Sequence, residues 1–461
     1  MREYLTIERV APSKRLVVDR TKDFGEIYEM YDKHDVATQS SRCIQCGDPF
    51  CLNKCPLHNY IPQWLKAVSE KDLEFAFRLS NEPSPFPEVM GRICPHDRLC
   101  EGDCTLNDGH GAITIGGIET HITEAGFKAG FKPDFPGITT NKKVAVIGSG
   151  PAGLSAATYL LRSGIAVTMY EKSDRAGGLL TYGIPNFKLD KKIVERRVRL
   201  LEEAGLKIIL NCEVGKDTSF EEIADDHDAI FIGIGATKAK SAGLTGEKSP
   251  NIYRAIDYLT NIQKKNFKTA YDKKFDFKDL NVVVIGGGDT AMDCLRTAKR
   301  EGARSVTCLY RRDIHNMPGS KKEYTNAMEE GVDFMFLASP KEIILDESGK
   351  AIAVEVVKTT LGLKDESGRQ KIEEIKGSEF RQNADVIIMS LGFTPVVPSF
   401  LHENGIETNS WGGIIINEET HETTTAGIYA GGDCFRGADL VVTAVYDGRE
   451  AAKTISKTLL K

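Results

Sequence analysis

Seven of the eleven cysteines lie within the first 104 residues, where they form two groups. The groups have the patterns Cys43-x2-Cys46-x4-Cys51-x3-Cys55-Pro56 and Cys94-Pro95-x4-Cys100-x3-Cys104. Cysteine thiolates are soft ligands, and a compact run that ends in Cys-Pro is typical of bacterial ferredoxins. The spacing therefore favours iron–sulfur ligation, with seven thiols one short of two complete four-cysteine ligand sets.

Two other uses of these cysteines must be weighed. Structural zinc is usually held by two short Cys-x2–4-Cys hooks, whereas here four thiols fall within thirteen residues and three more follow about forty residues later. A disulfide framework needs an oxidising compartment, and the sequence beginning Met1-Arg2-Glu3-Tyr4 has no apolar core of a secretion signal. Zinc and disulfides remain the alternatives to iron–sulfur clusters.

A first glycine loop follows a predicted buried strand, residues 143–147. The loop reads Gly148-Ser149-Gly150-Pro151-Ala152-Gly153 and leads into an apolar helix. Glycines allow a tight turn there and let a pyrophosphate group approach bare backbone at the helix N-terminus. The next strand ends in Glu171, 23 residues after Gly148, where an acid binds the adenosine ribose hydroxyls. The pattern predicts a dinucleotide site, against the alternatives of a structural turn and a solvated carboxylate.

A second glycine loop, Gly286-Gly287-Gly288-Asp289-Thr290-Ala291, also joins a strand to a helix. The strand after it ends in Arg311-Arg312 instead of an acid. An acid would repel a 2′-phosphate, whereas paired guanidinium groups hold one by charge-assisted hydrogen bonds. The ligand expected at this loop is NADP(H), and the alternative is a solvated strand end.

The elements that must position these residues divide the chain into parts. Helical periodicity covers residues 61–79 and 115–127, and Pro83, Pro85 and Pro87 forbid a continuous helix between the cysteine groups. Residues 132–137 read as a linker, and each glycine loop after it opens a parallel-sheet unit.

Composition and charge narrow the class of protein. The 461 residues predict two or three domains. A net charge of −6 and a pI near 6.0 argue against a nucleic-acid surface, and no apolar run is long enough to cross a bilayer. We expect a cytoplasmic protein with neither a membrane nor a nucleic acid as partner.

The motifs together resemble those of one family, the small or beta subunits of bacterial NADPH-dependent glutamate synthase, over essentially the whole chain. The similar segments are Asn59 to Pro62, Arg98 to Gly102, Gly148 to Gly153 with Glu171, Gly177-Gly178-Leu179, Gly183-Ile184-Pro185, Gly286 to Asp293, Tyr310-Arg311-Arg312, Met317-Pro318-Gly319 and Ala430-Gly431-Gly432-Asp433.

The resemblance implies an α/β fold with two Rossmann-like dinucleotide-binding domains, similar to glutathione reductase. A mainly helical iron–sulfur domain, residues 1–135, would precede them and bind two 4Fe-4S clusters. The FAD-binding domain would comprise residues 136–239 and 386–461, and the NADPH-binding domain residues 240–385.

The resemblance also assigns cofactor-binding residues. Asp433 would hydrogen-bond the ribityl-pyrophosphate region of FAD, and residues 438–443 would cap the ring. The residues expected at FAD are Gly148, Gly150, Pro151, Ala152, Gly153, Glu171, Lys172, Gly178, Leu179, Val214, Gly235, Gly432, Asp433 and Thr443. The residues expected at NADP are Gly286, Gly288, Asp289, Thr290, Arg311, Arg312 and Gly392.

In related amino-terminal domains the two cysteine groups exchange ligands. Applied to this chain, the resemblance gives the first cluster Cys43, Cys46, Cys51 and Cys104. The second cluster would be held by Cys55, Cys94 and Cys100 with Glu119, because related pyrimidine-reducing enzymes place an oxygen donor at that position. A solvent-exposed helical glutamate is the alternative for Glu119.

The resemblance implies that the protein passes electrons from NADPH to a partner subunit. NADPH would reduce FAD, and iron–sulfur clusters would carry the electrons to a large FMN subunit that makes glutamate from glutamine and 2-oxoglutarate, with no catalytic side chain required. The other cysteines, Cys212, Cys294, Cys308 and Cys434, form no redox pair in sequence. Rival functions are the flavin subunit of a ferredoxin:NADP transhydrogenase or sulfide dehydrogenase, and a structural subunit without turnover.

Overall fold

The computed structural model of the chain describes residues 3–364 and 370–461. Its first part is helical, as the periodicity predicts. The helices are α1 (Val17–Arg20), α2 (Lys33–Ser41), α3 (Phe50–Lys54), α4 (Ile61–Ser69), α5 (Leu73–Asn81), α6 (Pro87–Ile93), α7 (Asn107–His110) and α8 (Ile115–Lys128), with 3-10 turns at Glu3–Leu5 and His96–Arg98. Trp64 and Ile118 are fully buried in the core of this part.

The helical pattern over residues 61–79 is split between α4 and α5. Lys71 lies between them with a positive φ of 65°, and the Asp72 side chain accepts a hydrogen bond of 3.0 Å from the Phe75 amide, which caps α5. Pro87 is the first residue of α6, where a missing N–H leaves no helical hydrogen bond unmade. The span between the cysteine groups is therefore broken, as its prolines predict.

Strands and helices alternate after a linker. The elements are β1 (Lys143–Ile147), α9 (Pro151–Arg162), β2 (Ala166–Tyr170), α10 (Leu179–Tyr182), α11 (Lys191–Glu203), β3 (Lys207–Ile209), α12 (Phe220–Asp226), β4 (Ala229–Ile232), β5 (Lys238–Ala239), β6 (Ile252–Arg254), α13 (Ala255–Asn266), a 3-10 turn (Lys273–Phe275), β7 (Asn281–Ile285), α14 (Asp289–Arg300), β8 (Ser305–Tyr310), α15 (Lys321–Glu329), β9 (Asp333–Phe336), β10 (Ala338–Leu345), β11 (Ala351–Lys364), β12 (Gln370–Glu374), β13 (Phe380–Asn383), β14 (Val386–Met389), β15 (Phe393–Thr394), α16 (Ser399–Glu403), β16 (Ile428–Ala430), α17 (Asp433–Arg436) and α18 (Val441–Leu459).

The first sheet is parallel, with the strand order β16-β4-β1-β2-β3. Helices α9 and α18 pack together, and their apolar residues share one core with β1, β2 and β4. Gly153 in α9 is required for this packing, because a Cβ there would lie 2.0 Å from the Gly148 carbonyl oxygen. The first glycine loop is thus packed closely between the sheet and α9.

The second sheet is also parallel, with the order β6-β14-β7-β8-β9. Strand β14, Val386–Met389, pairs with β7 and β6, so the second unit extends four residues beyond the boundary expected at residue 385. An antiparallel sheet of β10 to β13 is attached to it, and the antiparallel pair β5–β15 lies where the chain crosses between the units. The two-Rossmann α/β fold expected from the resemblance is confirmed.

An amino-terminal segment, residues 13–30, fastens the helical part to the two sheet units. Ile27 is 1% exposed, and its amide donates to the Phe187 carbonyl at 3.3 Å in the first unit. Arg20 is 1% exposed, and its Nε donates to Glu330 Oε1 at 3.1 Å in the second unit. No helix within residues 3–364 and 370–461 combines the length and the apolar character needed to cross a membrane.

Candidate cofactor sites

Four cysteines from both sequence groups line one small cavity, which we call the first thiol cavity. They are Cys43, Cys46, Cys51 and Cys104, around a volume of about 20 Å³. Burial raises the pKa of Cys43 to about 11 and that of Cys51 to about 12. A cationic metal centre would reverse this penalty by favouring the thiolate form.

The remaining three cysteines of the two groups line a second cavity of about 30 Å³ together with Glu119. We call this the second thiol cavity. Burial raises the pKa of Cys55, and raises that of Cys94 and Cys100 well above the ordinary thiol value. The structure thus brings together both ligand sets that the resemblance implies, including the exchange of Cys55 and Cys104 between groups.

Glu119 lies in the interior, on the face of α8 that borders the second thiol cavity. It is 4% exposed, so the alternative of a solvent-exposed helical glutamate is wrong. Burial raises the pKa of its carboxyl to about 8. Asn59 Nδ2 donates to Glu119 Oε1 at 2.6 Å, and Trp64 Nε1 in turn donates to Asn59 Oδ1 at 3.2 Å. This chain of hydrogen bonds fixes the carboxylate at the cavity wall.

The donor sets fit iron–sulfur clusters in kind and number. All eleven cysteines lie within the described ranges, and all are free thiols. Among residues 3–364 and 370–461, no three Cys, His, Asp or Glu side chains are placed to hold a single metal ion. The four donors of each set instead surround a cavity.

A larger cavity of about 540 Å³ lies at the carboxyl ends of the first sheet, and we call it the flavin cavity. Twelve of the fourteen residues expected at FAD line it: Gly148, Gly150, Pro151, Ala152, Glu171, Lys172, Gly178, Leu179, Val214, Gly235, Gly432 and Asp433. The other two lie behind its wall. Gly153 packs against the loop, and Thr443 Oγ1 donates to the Leu440 carbonyl at 2.7 Å in the first turn of α18.

Glu171 occupies the position expected for ribose recognition and is 6% exposed. Its carboxylate accepts hydrogen bonds from the amides of Ser149 at 3.0 Å and Ser173 at 2.8 Å. A solvated strand-end carboxylate is therefore wrong for this residue. The carboxylate is held against the glycine loop at the edge of the flavin cavity.

Asp433 follows Gly432, whose φ is 77°. Burial raises the pKa of the Asp433 carboxyl to about 7. Asp447 in α18 supports this turn, because its carboxylate accepts from the Gly432 amide at 2.8 Å and pairs with Arg436. Sequence reasoning missed Asp447, since an acid within a helix carries no signal that separates it from a solvated one.

The second glycine loop has the geometry of an anion site at a helix N-terminus. Gly286 has φ 138°, and a Cβ there would lie 2.1 Å from the Ser390 carbonyl oxygen. Gly288 is the N-cap of α14 and faces open space. The first helical residue is Asp289, with Thr290 next. Bare backbone and the positive end of the helix dipole are therefore available to a pyrophosphate.

The other three residues expected at NADP follow the carboxyl ends of β8 and β14, the two strands that flank β7 in the second sheet. Arg311 is exposed at the end of β8, whereas Arg312 is half-buried and its Nε donates to the Gln370 carbonyl at 3.0 Å. Gly392 has φ 86°, and its carbonyl accepts from the Lys240 amide at 3.0 Å, where the chain crosses between the units.

The flavin cavity and the second thiol cavity are neighbours. Val441 lines the flavin cavity and Val442, the next residue of α18, lines the second thiol cavity. Cys55 and Cys94 pack against the apolar core of the first sheet unit. The helical part therefore presents its second donor set to the site of the expected flavin.

Comparisons with known proteins match the helical part and the two sheet units to two different family models. A family model described as dihydropyrimidine dehydrogenase domain II, 4Fe-4S cluster, matches residues 20–131, and one described as pyridine nucleotide-disulphide oxidoreductase matches residues 142–448. FprA of Mycobacterium tuberculosis, solved in complex with NADPH, has a similar fold, with a TM-score of 0.56 at 20% identity over 69% of this chain and 85% of that one. The fold and its sites define an NADPH-dependent oxidoreductase with an amino-terminal iron–sulfur domain.

Relatives identify the family. The glutamate synthase (NADPH) small chain of Halomonas elongata is 47% identical over 98% of this chain and 97% of its own length. That of Escherichia coli is 44% identical over 99% of this chain and 98% of its own. The putative oxidoreductase AegA of Escherichia coli is also 44% identical, over 98% of this chain and 70% of its own length. The chain belongs to the family of glutamate synthase small chains.

Proposed function

We propose that this chain is the electron-supplying subunit of an NADPH-dependent glutamate synthase. It would oxidise NADPH at an FAD site and deliver the electrons to a large FMN subunit that makes glutamate from glutamine and 2-oxoglutarate. The observation that carries the proposal is the separation of eight donors into two cavities, one of them beside the flavin cavity. A flavoenzyme that kept its electrons would not need such a path.

The residues supply alignment and insulation. When bound, FAD would accept hydride from NADPH, and the clusters would carry single electrons. Leu440 and Val441 line the flavin cavity and Val442 lines the second thiol cavity, so apolar side chains separate the two. The first thiol cavity lies further out, beside Phe50, whose side chain is 53% exposed. Electrons would leave the subunit on that side.

We infer two 4Fe-4S clusters from the two donor sets. Cys43, Cys46, Cys51 and Cys104 would hold one, and Cys55, Cys94, Cys100 and Glu119 the other. The support is the grouping of these donors around two cavities, together with the matched iron–sulfur family model over residues 20–131. In the same way, we assign FAD to the flavin cavity and NADP to the loop at Gly286, with Arg311 and Arg312 for the 2′-phosphate.

The domain limits that we propose follow the sheets. Residues 1–135 form the iron–sulfur domain, residues 136–239 and 390–461 the FAD domain, and residues 240–389 the NADPH domain, with the end of β14 as the revised boundary. We assign the protein to the cytoplasm, because the two proposed cluster ligand sets need thiols that stay reduced, as they do in that compartment.

The identity of the partner separates the two functions, because AegA and the glutamate synthase small chain of Escherichia coli are both 44% identical to this chain. Anaerobic purification from the native cell tests it: we expect a large glutamate synthase subunit to copurify, and NADPH to bleach a bound flavin. Copurification of a ferredoxin-linked or sulfide-oxidising subunit instead would favour the alternative function. A bound flavin that NADPH leaves oxidised would refute both.

A further inference from the structure

The loop between Cys94 and Cys100 contacts the NADPH domain through two charged residues. Arg98 Nη1 donates to the Pro318 carbonyl at 2.6 Å, and Arg98 Nη2 pairs with Asp289 Oδ2 at 3.3 Å. Asp97, its neighbour, accepts hydrogen bonds from Ser320 Oγ and the Lys321 amide, both at 3.4 Å. A segment of the iron–sulfur domain therefore sits on the rim of the second glycine loop.

Asp289 is the residue through which this contact reaches the nucleotide site. It is the first residue of α14, and its Oδ1 accepts from the Ser320 amide at 2.9 Å. The Gly319 amide donates to the Gly287 carbonyl at 2.9 Å. The glycine loop and the segment 318–320 are thus one hydrogen-bonded unit, and Arg98 bonds to both parts of it.

A carboxylate at this position poses an electrostatic problem. A pyrophosphate binds at a helix N-terminus because unpaired N–H groups and the helix dipole favour negative charge there. Asp289 places a second negative charge on the same turn, and like charges a few ångströms apart repel. Among the described residues, Arg98 is the cation that forms an ion pair with Asp289.

We propose that Arg98, a residue of the iron–sulfur domain, is a positioning residue of the NADP(H) site. It neutralises Asp289 and holds the segment at Pro318 against the glycine loop, so that the pyrophosphate group of the nucleotide binds at the N-terminus of α14. The proposal deepens the proposed function and rests on it. Its consequence is that the nucleotide site is complete only when the iron–sulfur domain is docked.

The test is isothermal titration of NADP+ into the anaerobically prepared holoprotein. Arg98→Ala should raise the Kd for NADP+ by about tenfold, the effect of one uncompensated charge near a phosphate. Arg98→Lys keeps the charge but loses the forked geometry, so we expect a smaller rise. Arg15→Ala is the matched control, because Arg15 forms a partly exposed ion pair with Asp23 within the same amino-terminal part. It should leave the Kd unchanged.

A second substitution separates a positioning role from general damage. If Arg98 acts by neutralising Asp289, then adding Asp289→Asn to Arg98→Ala should restore most of the lost affinity. The part of the affinity that the double variant does not recover measures the loss of the hydrogen bond from Arg98 to the Pro318 carbonyl. Retention of the flavin and cluster absorption bands shows that each variant is folded and loaded.

Two results would overturn the proposal. One is an Arg98→Ala variant that binds NADP+ within about twofold of the parent, and the other is a double variant as weak as Arg98→Ala alone. Failure of the proposed function is a different outcome, since it would appear in the parent protein as a bound flavin that NADPH does not bleach.

Discussion

Substitution of Glu330 tests whether one buried carboxylate holds three parts of the chain together. Its side chain is fully buried and accepts from Arg20 of the amino-terminal segment and from Arg296 and Arg300 of α14, at distances from 2.7 to 3.1 Å. Burial alone would raise the pKa of Glu330, but the hydrogen bonds from Arg296 and Arg300 outweigh it and lower the pKa to about 2.

The size of this pKa shift gives an estimate of how much Glu330 contributes to the free energy of unfolding. A fall from the ordinary value of 4.5 to about 2 corresponds to about 3 kcal/mol of stability at neutral pH. Breaking a buried ion pair by removing one partner costs about 3–5 kcal/mol, so both routes give a similar answer for Glu330→Gln. Since the folded pKa lies below the unfolded one, this stability is complete above pH 4.5 and is lost as the pH falls toward 2.

Urea unfolding of the parent and Glu330→Gln, followed by circular dichroism at a series of pH values, measures the effect. We expect a loss of about 3 kcal/mol or more in the free energy of unfolding at pH 7, and a gap that narrows below pH 4.5. The control is Glu329→Gln: this neighbour also pairs with Arg20 but is 36% exposed, so its loss should stay below about 1 kcal/mol. Equal losses for the two variants, or a gap that does not change with pH, would refute the reasoning.

Three further substitutions test the cofactor assignments. Glu119→Ala should lower the iron content of anaerobically prepared protein from about eight to about four atoms per chain, because it removes a ligand of one cluster. Arg311→Ala with Arg312→Ala should raise the KM for NADPH by about tenfold or more and leave that for NADH nearly unchanged, because the 2′-phosphate loses its cations. Gly153→Ala should prevent stable folding of the first sheet unit, measured by thermal unfolding, because the added Cβ meets the Gly148 carbonyl at 2.0 Å.

Each of these substitutions has a control close to it in the chain. Glu124→Gln also changes a carboxylate of α8, but its side chain pairs with arginines outside the cavities, and it should keep all the iron. Arg304 directly precedes β8, whereas Arg311 directly follows it, so Arg304→Ala should leave the selectivity for NADPH intact. Gly150 faces open space, so Gly150→Ala should fold and weaken FAD binding only. Matching effects in variant and control would contradict the corresponding assignment.

Features whose geometry depends on residues close together in the chain could be predicted from the sequence. The glycine loops could be predicted because strand, turn and helix lie within about a dozen residues and their dihedral requirements show in the residue types. The cysteine groups indicated iron–sulfur ligation in a similar way, because the ligands within each group are close together in sequence. The way in which they exchange Cys55 and Cys104 did not follow from spacing, and came only from resemblance to a family.

Contacts between distant segments could not be predicted from the pattern. Arg98 and Asp289 are 191 residues apart, and each alone looks like an ordinary surface charge. The same holds for Glu330, which sequence alone gives no reason to bury. The sheet to which β14 belongs could not be predicted either, because β14 is a short apolar strand whose place is decided by pairing with β7, and an apolar pattern does not show which partner a strand will pair with.

The amino-terminal segment has a consequence for the order of synthesis. Arg20 finds its buried partner only 310 residues later along the chain. At translation rates of about 5–20 residues per second, that partner leaves the ribosome about 15–60 s after Arg20 does. The cysteines of the helical part emerge early in that interval, before the elements that anchor the segment exist. The second thiol cavity is completed by Val442 of α18, which emerges later still, so the timing of cluster insertion is part of how this protein reaches its native state.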